Sequence, residues 1–292
     1  EFWGLYNLRE KVNEHFIAAH HPVDPDEIDL IEVQTANEGT IDNYDALVDY
    51  VNQSDMTDPV VFDSLSEWID IDNHIDYNIA QIFIDNRDWP GNNIKYWRPQ
   101  SNGGGWRWIL YDTDFGFGIP WMGLGYNYNT LQFAIEANGP EWPNPPWSTF
   151  LLRKLFENQN YRDRFVNIYC DRLNTVFKPN LLNDRIHDMS SYIEDIIPIH
   201  QERWPSSAQD WEYHIEILEN FANNRSLYAR QHLASFFYLT SPALVTFISS
   251  LGGNIKVNTL ELETYPWTGY YYSSIPIEIE AIPEEGYRFI GW

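Results

Sequence analysis

Apolar and polar positions along the chain change period several times, and those changes sketch its elements. Phe2 to Arg9 alternates aromatic or aliphatic residues with others, the period-2 pattern of a strand. From Glu10 to Ala19 the spacing turns helical, with Val12, Phe16 and Ile17 on one side, and Asp24 to Asp42 is acidic and irregular. Helical spacing returns over Asn43 to Asn52. Ser64-Leu65-Ser66-Glu67 then matches a capping box, which predicts a helix running to about Ile84 with Leu65, Trp68, Ile69, Ile75, Ile79, Ile82 and Phe83 as its apolar stripe.

Beyond that stripe, Asn93 to Arg98 and Trp106 to Tyr111 read as aromatic strands of a hairpin joined by Ser101-Asn102-Gly103-Gly104-Gly105. The glycines have neither the GxGxxG nor the Walker spacing of a phosphate loop, so they predict a flexible turn. From Thr149 to Phe237 the pattern is helical, in segments near Phe150–Glu157, Tyr161–Phe177, Leu181–Ile197 and Ala208–Phe236. Pro242 marks a boundary, after which Gly252 to Trp292 is β-patterned and closes on a Glu284-Glu285-Gly286-Tyr287 turn. The division predicted is a main domain over residues 1–240 and a small β module over 248–292. The strand-like start and the abrupt end suggest a piece cut from a longer chain, with the main domain incomplete at its amino terminus and the module incomplete at its end.

Charge narrows the partners. Forty-three acids against 18 Lys and Arg leave −25, which repels nucleic-acid backbones and anionic lipid. The same charge opposes a nucleotide unless a divalent cation neutralises its phosphates. No apolar run approaches the ~20 residues of a membrane helix, so membrane insertion is not expected. The single cysteine, Cys170, excludes an internal disulfide framework and lies in an apolar helical pattern, the setting of a buried thiol.

Candidate chemistry concentrates between Asn86 and Gly118. Asp88-x-x-x-x-Asn93 is followed, after the hairpin, by Asp112-Thr113-Asp114-Phe115-Gly116. Phosphoryl transfer needs a carboxylate to orient an attacking hydroxyl, and an amide oxygen with a second carboxylate to hold divalent ions on the phosphates. Protein kinases deliver these groups in the order H-R-D-x-x-x-x-N and D-F-G. Here Asn-Arg precedes the Asp in place of His-Arg, and the gap between the two halves is longer than in ordinary kinases. Against this stands the bland alternative that Asp88 caps a turn at Pro90-Gly91.

With those residues the chain resembles the CotH kinase family. Gly4-Leu5-Tyr6-x-Leu8-x-Glu10, Asn160-Tyr161-Arg162, Glu202-Arg203-Trp204 and Phe221-Ala222-x-x-Arg225 carry the likeness further, over residues 1 to about 237. The resemblance implies an α+β, atypical protein-kinase-like catalytic domain with a helical C-lobe. It implies ATP and Mg²⁺ or Mn²⁺ as cofactors, a protein substrate phosphorylated on Ser or Thr, and Asp88 as catalytic aspartate. Asn93 with Asp112 or Asp114 is the implied metal set; the literal D-F-G favours Asp114 and the spacing favours Asp112. Glu10 is implied near the nucleotide, as the partner of a phosphate-binding lysine expected upstream of this chain. Lys11 is not promoted, because neighbouring strand residues face opposite sides. The tail, Ala281-x-Pro283-x-x-Gly286-Tyr287-x-Phe289-x-Gly291-Trp292, resembles β repeats of bacterial surface proteins, which implies a secreted or surface-attached protein.

Other readings remain open at this point. Trp121, Trp142 and Trp147 in a Pro/Gly/Asn-rich region would suit a secreted carbohydrate-binding or glycan-processing protein, or pack as core. An inactive CotH-like binding module is a third possibility. His20-His21 with Asp24 lacks a third ligand at useful spacing, and Asp70 to Asp76 lacks the glycine of a calcium loop, so neither predicts a metal site.

Overall fold

The computed structural model describes residues 2–101, 104–118, 125–140, 142–205, 210–250 and 252–292. Residues 2–12 form no strand, against the alternation of their sequence. Among the described residues no strand pairs with them, and the distant side chains of His200 and Trp204 serve the backbone instead. Leu5 N–H donates to His200 Nδ1 at 3.0 Å and Trp204 Nε1 to the Trp3 carbonyl at 2.9 Å. Helix α1 (Glu14–His20) starts at Asn13, whose side chain accepts from Phe16 N–H.

The acidic stretch expected to be irregular instead supplies β1 (Ile28–Glu32) and β2 (Thr35–Glu38). Ile28 and Leu30 face Ile17 and Trp97 on one side of the sheet, and Ile31 enters the main core on the other. Asp29 is buried in the strand, where Thr40 N–H and Gln100 Nε2 donate to its Oδ1, each at 3.0 Å. After α2 (Asp42–Gln53) and α3 (Pro59–Leu65), α4 (Ile71–Phe83) carries the long apolar stripe.

The Ser64 capping box does not start that helix; Ser64 lies in the last turn of α3. Trp106 N–H donates to the Trp68 carbonyl and Asp70 N–H to the Trp106 carbonyl, which ties the Trp68–Asp70 backbone to another strand and forbids a continuous helix. Asp70 is the true cap, accepting from Asn73 N–H at 3.0 Å while pairing with Arg107 at 2.7 Å.

The expected hairpin is present as β3 (Lys95–Pro99) and β4 (Arg107–Ile109), antiparallel with Tyr96 opposite Trp108. It completes a sheet of order β2-β1-β3-β4. Residues 102–103 of its predicted turn lie outside the described residues.

The helical half follows as α5 (Thr130–Phe133), α6 (Pro146–Leu155), α7 (Gln159–Asn174), α8 (Pro179–Ser191), α9 (Ile197–Arg203) and α10 (Trp211–Phe236). Ala208, where the last helix was expected to begin, lies outside the described residues. Helix α4 joins this lobe to the hairpin. Its His74 packs edge-on against Trp108 and bonds the Tyr161 hydroxyl of α7 at 2.7 Å, and Asp72 and Asp76 each pair with an arginine of α7, Arg164 and Arg172.

The β-patterned tail folds as β5 (Pro242–Phe247), β6 (Gly253–Val257), β7 (Leu260–Leu262), β8 (Trp267–Tyr272) and β9 (Ile279–Pro283). Because β5 pairs with β8, the β part begins at Pro242 and not at 248. The sequence also suggests few contacts between tail and helices, and here the structure differs. Phe247, Val257, Tyr271 and Tyr272 join the main core, and buried Asp171 of α7 accepts from Asn258, from Thr259 N–H and hydroxyl, and from the Tyr271 hydroxyl. The strands thereby cover part of the apolar face of α7.

Candidate functional site

The site is built where α4 ends. Arg225 of α10, buried beneath that end, donates to the carbonyls of Ile82 at 2.6 Å and Phe83 at 2.7 Å in the last turn, to the Tyr126 and Tyr128 carbonyls and to the Thr130 hydroxyl. Asp85 follows in left-handed backbone, accepting from the Thr130 hydroxyl at 2.6 Å and from Arg87 at 3.2 Å. Burial raises the Asp85 carboxyl above its ordinary range, against the pull of the Thr130 bond and of Arg87 and Arg225. The Arg87 guanidinium lies 3.3 Å over the Tyr128 ring. Asn86, fully buried, donates to Gln81 Oε1 and accepts from Asp88 N–H at 3.1 Å, which fixes the turn into Asp88.

Three side-chain donors meet the Asp88 carboxylate. Asn92 Nδ2 and Trp142 Nε1 donate to Oδ1 at 2.8 Å and 2.9 Å, and Asn93 Nδ2 donates to Oδ2 at 2.7 Å. The predicted pair, Asp88 and Asn93, is therefore in direct contact. Donating its nitrogen to Asp88 leaves the Asn93 amide its oxygen, the hard atom a divalent ion takes.

The loop carrying Asp112 and Asp114 lies against this one. Arg87 N–H donates to the Phe115 carbonyl at 3.0 Å, and Phe117 N–H to the Ile84 carbonyl at 2.7 Å. A Cβ on Gly116 would stand 2.9 Å from the Ile84 carbonyl, so the tight approach requires glycine. Asp114 is exposed at the tip; Asp112 is partly buried and lies 3.6 Å from Arg9. Asp85, Asn93, Asp112 and Phe117 all have positive φ, four of the eight such non-glycine residues among those described. Such strained backbone is found more often at active sites and ligand clamps than elsewhere.

Glu10 is exposed beside Arg9, in the irregular amino-terminal stretch and not on a strand, and Lys11 is exposed next to it. Sequence reasoning passed over Lys95, two residues beyond Asn93. Its ammonium lies 3.5 Å from Glu32, 4.9 Å from the Tyr111 ring centre and 3.2 Å from the Val12 carbonyl. Trp142, Asn92, Asp85 and Arg225 also have contacts that no spacing announced; Trp142 reaches Asp88 from 54 positions away, and Arg225 reaches the end of α4 from 142 and 143.

Among the described residues, no group of three or more His, Cys, Asp and Glu side chains could hold a metal ion unaided. A Mg²⁺-type site does not need one, since an amide oxygen, one or two carboxylates and the phosphates of a bound nucleotide complete its oxygen shell. Asn93, Asp112 and Asp114 fit that donor set chemically.

The remaining candidates settle as structural parts. Cys170 is buried and its thiol is pushed up to about 12 by burial. Asp70, Asp72 and Asp76 serve a cap and two ion pairs. His20 bonds the Phe16 carbonyl, and His21 faces Arg107 at 3.5 Å. Trp147 packs on the core, Trp142 is committed to Asp88, and Trp121 lies outside the described residues. No helix among the described residues is long and apolar enough to cross a membrane.

The family described as CotH kinase protein matches residues 1–229, most of the chain, and the chain belongs to that family. No curated protein matches it.

Proposed function

We propose that this CotH-family chain transfers the terminal phosphoryl group of ATP to a Ser or Thr hydroxyl, with Mg²⁺ or Mn²⁺ required. Membership of a kinase family supports kinase-type chemistry, and one observation carries the residue-level reading. The loop of Asp88 and Asn93 and the loop of Asp112 and Asp114 are hydrogen-bonded to each other at Arg87–Phe115 and Ile84–Phe117. In this reading Asp88 orients the acceptor hydroxyl and takes its proton. Asn93 and one of Asp112 and Asp114 would hold the cation, which would supply the positive charge that offsets the nucleotide's phosphates.

The cation requirement follows from charge as well as from family. At −25 the protein repels a bare nucleotide, so ATP binds only where a metal reverses the local sign. Lys95, paired with Glu32 beside Tyr111, is the cation we assign to the phosphate side of the site, a role that sequence reasoning placed upstream of the chain. Exported or surface proteins are the proposed substrates, on the likeness of the tail to β repeats of bacterial surface proteins. The test is calorimetric titration of the full-length protein with ATP, with and without Mn²⁺, beside a phosphate-transfer assay on wild type and Asp88→Asn.

A further inference from the structure

Asp88 is held from two sides by chain segments far apart in sequence. Asn92 and Asn93 belong to its own loop, while Trp142 comes from the segment before α6. An ionised carboxylate has two acceptor positions on each oxygen. Among the described residues, Oδ1 accepts from two donors, Asn92 Nδ2 and the indole of Trp142, and Oδ2 from one, Asn93. The open position is therefore on Oδ2, beside the amide whose oxygen is available to a cation. Indole N–H is a donor only, so Trp142 cannot exchange roles with an incoming hydroxyl.

The segment that presents Trp142 is fastened on both sides. Gly91 N–H donates to the Pro143 carbonyl at 2.5 Å, and a Cβ on Gly91 would collide with Pro143 and with the ring of Pro145. Asn144 is fully buried and donates to the Phe133 carbonyl at 3.1 Å. The indole itself is half-exposed, so its bond to Asp88 is fixed by this docking and not by burial of the ring.

We infer that Trp142 is a positioning residue for Asp88: it closes Oδ1, fixes the plane of the carboxylate and leaves Oδ2 as the atom that receives the acceptor hydroxyl next to the metal. The inference rests on the kinase reading of the site. Orientation of a catalytic group acts on the chemical step, and nucleotide binding uses other residues.

The experiment measures transfer kinetics and Mn²⁺-dependent ATP affinity for the full-length wild type, Trp142→Phe, Gly91→Ala and the double variant. Phenylalanine keeps an aromatic ring at this half-exposed position but is smaller and has no N–H to donate. The expected result is a kcat lowered roughly tenfold, the size of one charge-assisted hydrogen bond. ATP affinity stays within about twofold and the melting temperature is unchanged. Gly91→Ala displaces the docked segment, so it lowers kcat in the same direction, and the double variant is no slower than Gly91→Ala alone. An unchanged kcat in Trp142→Phe overturns the inference while wild-type transfer keeps the kinase reading. Additive losses in the double variant overturn it too, since the two residues then act separately. No transfer by the wild type overturns both.

Discussion

Arg87 gives its backbone N–H to the carbonyl of Phe115 across 3.0 Å, one residue before Asp88 and one after Asp114. A second bond, from Phe117 N–H to the Ile84 carbonyl at 2.7 Å, makes a two-rung ladder between the loops. The ladder fixes the backbone of both loops, and the proposed metal set takes one of the two aspartates on the second. Exposed Asp114 is free of the Arg9 contact that Asp112 makes at 3.6 Å. Calorimetry on Asp112→Asn and Asp114→Asn distinguishes them. One substitution should weaken Mn²⁺-dependent ATP binding at least about tenfold, the scale of a lost carboxylate ligand, and the other should stay within about threefold. Two unaffected variants would remove both residues from the metal set.

Arg225 should be the costliest buried residue to change. It is 1% exposed and serves the carbonyls that end α4, the Gly125, Tyr126 and Tyr128 carbonyls and the Thr130 hydroxyl. Replacing it by Met strands several buried acceptors, for an expected loss of at least about 3 kcal/mol in urea unfolding. Arg225→Lys should recover less than half of that, because an ammonium cannot reproduce the planar fork. A loss under about 1 kcal/mol for Met would show that water replaces the guanidinium.

These examples mark how far the sequence could be read. Helices α2, α7 and α10 and the β3–β4 hairpin follow from local periodicity, and the Asp88–Asn93 contact follows from their spacing. β1 was hidden because Asp29 and Glu32 interrupt its apolar run, and what makes Asp29 tolerable inside the sheet is donors from Thr40 and Gln100, which no local pattern reveals. Ser64-x-x-Glu67 satisfied a local rule that the Trp68–Trp106 backbone pairing overrode. Arg225 was visible as part of Phe221-Ala222-x-x-Arg225, but its task depends on carbonyls about 100 residues or more away. Trp142 gave no signal toward Asp88, since the contact exists only in the folded chain.

Stability should fall on mild acidification through His74. It is buried between Tyr161, Asn78 and Trp108, and burial lowers its pKa from 6.5 to about 3. The unfolded chain protonates this imidazole first, so its contribution is complete above pH 6.5 and is lost as pH falls from there toward 3. Within that window the slope from this group approaches about 1.4 kcal/mol per pH unit. Denaturant unfolding at pH 7, 6 and 5 should show a steeper fall for wild type than for His74→Gln. Parallel curves would assign the acid sensitivity elsewhere.

The β part should be integral to the fold. Ending the chain after Leu239 uncovers the face of α7 that packs on Val257, Tyr271 and Tyr272 and leaves Asp171 without its four donors from the tail. Each buried apolar side chain removed costs about 1.5–3 kcal/mol. The truncated protein should therefore melt at least about 10 °C lower than the same chain carried through Trp292. Equal melting temperatures would make the strands an independent spacer.

Whether Asp88 and its neighbours form a metal-dependent phosphotransfer site is tested most directly by titrating ATP into the full-length protein in Mn²⁺ and in chelator, with transfer to a Ser/Thr acceptor measured in parallel. The expected result is ATP binding in Mn²⁺ that is at least about tenfold tighter than in chelator, with Asp88→Asn sparing most of that affinity and abolishing transfer. Equal ATP affinity in the two media, or undiminished transfer by Asp88→Asn, would contradict it.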